Sequence, residues 1–147
     1  MTKSEEKKFI AECKSWLNPP TGWMHGVALK GYKVDCIQFL AAVAKAVGWL
    51  DQSYEIKPYP REWALHQSES KMMKELLKLC DPVKGRDFQV GDILLFKFNK
   101  CNSHAAFYLG NNKAIHSHIQ YGVAEFGLDD PEMKKTFTTA MRWKGAS

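Results

Sequence analysis

The chain has 147 residues and a net charge of +5, with 45% hydrophobic and 25% charged residues, which excludes wholesale disorder and suits one domain spanning 1–147. Its basic residues are spread out rather than set in a stripe interleaved with aromatics, so no nucleic-acid partner is expected. The longest apolar run, "FLAAVAKAVGWL", is interrupted by Lys45 and too short to span a bilayer, so no membrane partner is expected either.

Residues 4 to 17 read as an amphipathic helix, with Phe9, Ile10, Cys13, Trp16 and Leu17 at helical spacing. The prolines of "NPPTG" end it. This opening stretch lacks the apolar core of a secretion signal, which predicts synthesis in the cytoplasm and reduced cysteines. A glycine-bearing loop leads into a second helix from about Cys36 to Trp49. A third helical region runs from about Glu62 to Leu79, between "KPYP" and "DPVKG". From Val90 the pattern changes to strands: "DILLFKF", "HAAFYLG", "KAIHSH", "GVAEFG" and "TFTTAMRW", with "GNNK" as a hairpin turn. Helices followed by an antiparallel meander predict an α+β fold.

Four cysteines, Cys13, Cys36, Cys80 and Cys101, show no CxxC pairing, so each is core filler or nucleophile. Cys13 and Cys80 fall at apolar helical positions and read as filler. Cys101 lies in a polar loop with no evident base. Cys36 differs: Asp35 precedes it and Gln38 follows three residues after Asp35, a D-x-x-Q variant of the capping box. Asp35 is then the N-cap and Cys36 the first helical residue, where backbone amides and the helix dipole favour a thiolate. On that reasoning alone, nucleophile and filler are evenly balanced.

A nucleophilic cysteine needs a base. His104 opens the strand "HAAFYLG", and His116 lies on the next strand, within reach to orient its tautomer. His118 shares the face of His116. A rival reading makes Cys101, His104, His116 and His118 a zinc site, though it leaves the Asp35–Cys36 arrangement unexplained. Trp16, Trp49, Trp63 and Trp143 read as core or interface anchors, Met72 and Met73 as helix packing, and His66 as surface.

The segments "GYKVDCIQFL", "VGDILLFKF" and "HAAFYLGNNKAIHSH" resemble the three motifs of the NlpC-type cell-wall cysteine peptidases, over roughly Gly22 to His118. The resemblance implies a papain-like core, with Cys36 as nucleophile, His104 as general base and His116 as the orienting third residue. It also implies no metal or cofactor, and a peptidoglycan stem peptide cut at a γ-D-glutamyl amide. "WMHGVALKGYKVDC" looks most like the branch encoded by phages and gene-transfer particles, whose members are tail-associated wall peptidases. Phage tail proteins are then expected partners, and a virion or lysis would carry the protein out. Ile37 and Gln38 depart from the serine and glycine many members carry after the cysteine. Trp23 stands where a tyrosine aligns, with His25 filling part of that gap and His118 lining the cleft. Two alternatives keep the fold: an idle structural plug in a phage tail, and an enzyme that passes the acyl group to an amine.

Overall fold

The run Ile93-Leu94-Leu95-Phe96 has no polar face, and the fold covers both of its sides. The computed structural model describes residues 1–56, 70–98 and 101–146, excepting the side chains of 70–73, 98 and 101–103. Helix α1 (Lys3–Lys14) comes first, then a small hairpin of β1 (Ala28–Leu29) and β2 (Lys33–Val34), and α2 (Cys36–Ala46). After α3 (Ser70–Leu79) come β3 (Cys80–Pro82), β4 (Ile93–Phe98), β5 (Cys101–Gly110), β6 (Lys113–His118) and β7 (Gly122–Gly127). Helix α4 (Pro131–Thr136), β8 (Phe137–Trp143) and a 3₁₀ turn at Lys144–Ala146 complete the chain.

Six strands form one antiparallel sheet in the order β3-β8-β4-β5-β6-β7. The expected meander is β4 to β7, and β8 returns to the other side of β4. Ile93, Leu95, Ala105, Phe107 and Ile115 bury one face against α1 and α2. Phe9 of α1 is fully buried there, edge-on to Phe107 at 5.0 Å and stacked on Trp49 at 4.9 Å. Burial of such a ring contributes about 2–3 kcal/mol. Leu94, Phe96, Ala106 and Ala114 bury the opposite face against Met133 of α4. At the head of β4, Asp92 is 1% exposed and held bidentately by Arg142, Nε to Oδ1 at 2.8 Å and Nη2 to Oδ2 at 2.9 Å.

The α+β architecture is as expected, and several boundaries move. Helix α1 stops at Lys14, short of Leu17, and α2 stops at Ala46, where Gly48 turns the chain at φ +84°. The third helix is described only from Ser70; Trp63 and His66 lie outside the described residues. The two residues of the "GNNK" turn, Asn111 and Asn112, have φ of 50° and 62°, the left-handed pair a type I′ hairpin needs. The last strand begins at Phe137 because Asp130 caps a helix with Pro131 in its first turn, and that helix takes Thr136. Cys101 and His104 are the first and fourth residues of β5, so Cys101 is in a strand rather than a loop and His104 does not open it. Among the described residues no helix is long and apolar enough to cross a membrane.

Candidate active site

Asp35 organises the start of α2. Its Oδ1 accepts from the Gln38 N–H at 2.8 Å, the N-cap bond expected from the sequence. The reciprocal half of a capping box is replaced: the Asp35 N–H donates to the Val27 carbonyl at 3.3 Å. Oδ2 accepts from the Gly26 N–H at 2.6 Å, with Nδ1 of His25 3.9 Å away. One buried carboxylate therefore starts the helix and holds the loop that carries half-buried Trp23 and His25.

That loop is also fastened to the sheet. The Ser117 hydroxyl, fully buried on β6, donates to the Val34 carbonyl at 2.6 Å. The Val123 N–H donates to the Thr21 carbonyl at 2.9 Å. Gly122, at φ +72°, lies so close that a Cβ there would run into the Thr21 carbonyl oxygen and the Gly22 backbone.

Cys36 is the first residue of α2 and is half-buried. Backbone N–H groups of Ala105, Ile37 and Cys36 itself face its sulfur. Ala105 follows His104 along β5, so the sulfur meets the sheet beside that histidine. Nε2 of His104 lies 2.7 Å from Nδ1 of His116, a hydrogen bond between two buried rings. With Nε2 turned to His116, Nδ1 is the His104 nitrogen on the other side of the ring. Phe126 packs on the His116 ring at 4.4 Å, and Phe96 lies 6.0 Å from the His104 ring.

Burial sets the protonation of all three groups. The Cys36 thiol is pushed up to about 12, first by desolvation and then by the Asp35 charge, against a smaller pull from the amides. The expectation of a thiolate at the helix start is thereby corrected, because burial and the neighbouring carboxylate outweigh the helix-terminal field. Desolvation, with the other histidines adding to it, holds His104 well below the ordinary histidine value and His116 at about 3. The resting arrangement is a neutral thiol beside two neutral imidazoles.

Asp35, Cys36, His25, His104, His116 and His118 are thus gathered at the junction of α2 with β5 and β6, and Trp23 lies in the adjoining loop. Cys13 and Cys80 are core residues at 0% and 1% exposure, as expected, although Cys80 opens β3 and is not at a helical position. Trp16 and Trp143 are buried too. The Cys101, Met72 and Met73 side chains lie outside the described residues. A zinc ion shared by His104 and His116 would need their nitrogens turned toward it, whereas they face each other. Among the described residues no group of three or more His, Cys, Asp or Glu is arranged to hold a metal. Sequence reasoning missed the Ala105 amide, Ser117 and the Gly122 contact. All three depend on strand neighbours far apart in the chain; only the glycine left a signal.

Residues 23–142 match the NlpC/P60 family. Over 60 residues the chain is 30% identical to a protein of Escherichia coli K12 named murein DD-endopeptidase MepS/murein LD-carboxypeptidase, covering 41% of this chain and 32% of that protein. An NLP/P60-family protein of Staphylococcus aureus Mu50, described as similar to a lipoprotein, superposes with a TM-score of 0.65 at 16% identity. That superposition covers 97% of this chain and 42% of the staphylococcal one, so the chain spans less than half the length of both proteins. The NlpC/p60 domain of the peptidoglycan hydrolase SagA aligns with a TM-score of 0.59 at 14% identity, over 92% of this chain and 96% of that domain. The two superpositions show the fold, and the family match runs from Trp23 through the helix start and both histidine strands into β8. The chain belongs to the NlpC/P60 family, whose members are cysteine peptidases that hydrolyse peptidoglycan.

Proposed function

We propose that this chain is a cysteine peptidase that hydrolyses an amide in peptidoglycan stem peptides, with Cys36 as nucleophile, His104 as general base and His116 as its orienting partner. The observation that carries this reading is the His104–His116 hydrogen bond at 2.7 Å beside a cysteine whose sulfur faces helix-start amides. Because the resting thiol is neutral, its proton passes to Nδ1 of His104 as the sulfur attacks the carbonyl. The Cys36 and Ile37 amides, which face the sulfur, would stabilise the oxyanion. His104 then protonates the departing amine, and water, activated by the same ring, hydrolyses the thioester.

The finer reading is a γ-D-glutamyl–diamino acid endopeptidase of the phage or gene-transfer-particle branch, supported by the "WMHGVALKGYKVDC" segment. Such a protein, made in the cytoplasm, would reach the wall with a virion or at lysis and would meet phage tail proteins. Mass spectrometry of peptidoglycan fragments after incubation with the unaltered protein and with Cys36→Ala tests it. New stem-peptide fragments only with the unaltered protein support hydrolysis, and their masses separate γ-D-glutamyl cleavage from DD-endopeptidase or LD-carboxypeptidase cleavage. No cleavage, with Cys36 no more reactive to alkylation than Cys101, sinks the reading and favours an idle tail component.

A further inference from the structure

Neither the thiol chemistry nor the core employs His118. It ends β6, half-buried, with its ring 5.3 Å from His116 and 6.3 Å from His104. Two contacts fix its orientation. The Gln120 N–H donates to its Nδ1 at 3.0 Å, and Tyr121, 72% exposed, stacks on the ring at 4.9 Å and 24°. An Nδ1 that accepts leaves the proton of the neutral ring on Nε2. Among the described residues that N–H has no hydrogen-bond partner, and no carboxylate lies within ion-pair distance of the ring.

We propose that Nε2–H of His118 is a carboxylate subsite that binds the anionic group flanking the scissile amide. The inference rests on the peptidase reading and names the substrate feature the site selects. A γ-D-glutamyl amide keeps its α-carboxylate, whose carbon lies four bonds from the scissile carbonyl carbon, about 5 Å in an extended chain. His118 stands beside the base rather than on the nucleophile, its ring centroid 6.3 Å from that of His104, so its donor serves a group set off from the reacting carbon. A neutral donor suits the place: a fixed cation would oppose the positive charge that His104 must take from the thiol, whereas a bound carboxylate favours it.

Alkylation tests the subsite without requiring hydrolysis. Rates of Cys36 modification by 5-chloro-4-oxopentanoate, whose carboxylate carbon lies four bonds from the reacting carbon, and by its amide are measured near neutral pH, and their ratio cancels the intrinsic thiol reactivity. The variants are His118→Phe, which keeps a ring against Tyr121 without a donor, and His118→Gln, which keeps a donor. The carboxylate-to-amide rate ratio is expected to fall about fivefold in His118→Phe and to stay within about twofold in His118→Gln. A ratio unmoved by His118→Phe, or lowered equally by both variants, overturns the inference. In parallel, a γ-D-glutamyl peptide and its α-carboxamide analogue are offered to the unaltered protein. Cleavage of neither sinks the peptidase reading and leaves the alkylation ratio to judge the subsite.

Discussion

Nε2 of His104 and Nδ1 of His116 lie 2.7 Å apart between β5 and β6, both rings buried and both neutral at rest. A single proton can occupy that bond, so each ring dictates the tautomer of the other. His116→Ala removes that control while sparing the nucleophile. The expected result is a kcat on stem peptides lower by about 10²-fold or more with KM little changed, whereas Cys36→Ala abolishes turnover. Steady-state kinetics on a purified fragment would show it, and a His116→Ala kcat within a few-fold of the unaltered value would remove His116 from the mechanism.

Asp35 both supports and suppresses the nucleophile. Its carboxylate caps α2 and at the same time adds to the burial that raises the Cys36 thiol to about 12. Asp35→Asn keeps a capping side chain and removes the charge. Its Cys36 should therefore titrate lower and alkylate faster in mildly alkaline solution than in the unaltered protein. Asp35→Ala, which also loses the cap, is expected to lower stability by about 1–2 kcal/mol. Pairing an alkylation pH profile with urea melts separates the two roles.

Acid should loosen the fold through the histidine pair. His116 falls from 6.5 in an exposed setting to about 3 in the fold, because burial penalises its charged form. The unfolded chain therefore takes up the proton first, and the contribution to stability is complete above about 6.5 and lost as pH falls toward about 3. Thermal melts across that window should show a declining Tm, shallower in His116→Phe, which has nothing to protonate. Equal slopes in the two proteins would count against a buried neutral pair.

Gly122 is held at φ +72° against the Thr21 and Gly22 backbone. Gly122→Ala meets both the strained backbone and the collision, and is expected to cost about 3 kcal/mol. Gly85→Ala, at φ +57° with open space around it, isolates the backbone effect and should cost about 1–2 kcal/mol. Denaturant titration of both gives the difference. A Gly122→Ala cost no larger than that of Gly85→Ala would show that the loop yields freely.

What could be read from the sequence was local. The Asp35 cap, the Asn111–Asn112 turn, the apolar run of β4 and the β6 and β7 boundaries each follow from neighbours within a few residues. The resemblance to the family motifs then supplied the pairing of Cys36 with His104. Three-residue β3 eluded the sequence because its pairing, Cys80 with Trp143, is fixed by a partner far along the chain. Asp130-Pro131 was a legible helix start that the strand-like run after it obscured. The protonation of Cys36 lay beyond any spacing rule, since the helix end argues one way and the assembled burial argues the other.

The carboxylate of Asp35 has a consequence for how such a site can change. One oxygen positions the nucleophile's helix, and the other suspends the loop bearing Trp23 and His25. Wall and nucleophile share a hinge pin and cannot be adjusted one at a time. Substitutions that reshape the loop for a new peptide will drag the sulfur with them, so altered selectivity should come with altered rate. Changes at Gln120 and Tyr121, which grip His118 from outside that linkage, should instead alter substrate selection with less effect on the position of the sulfur.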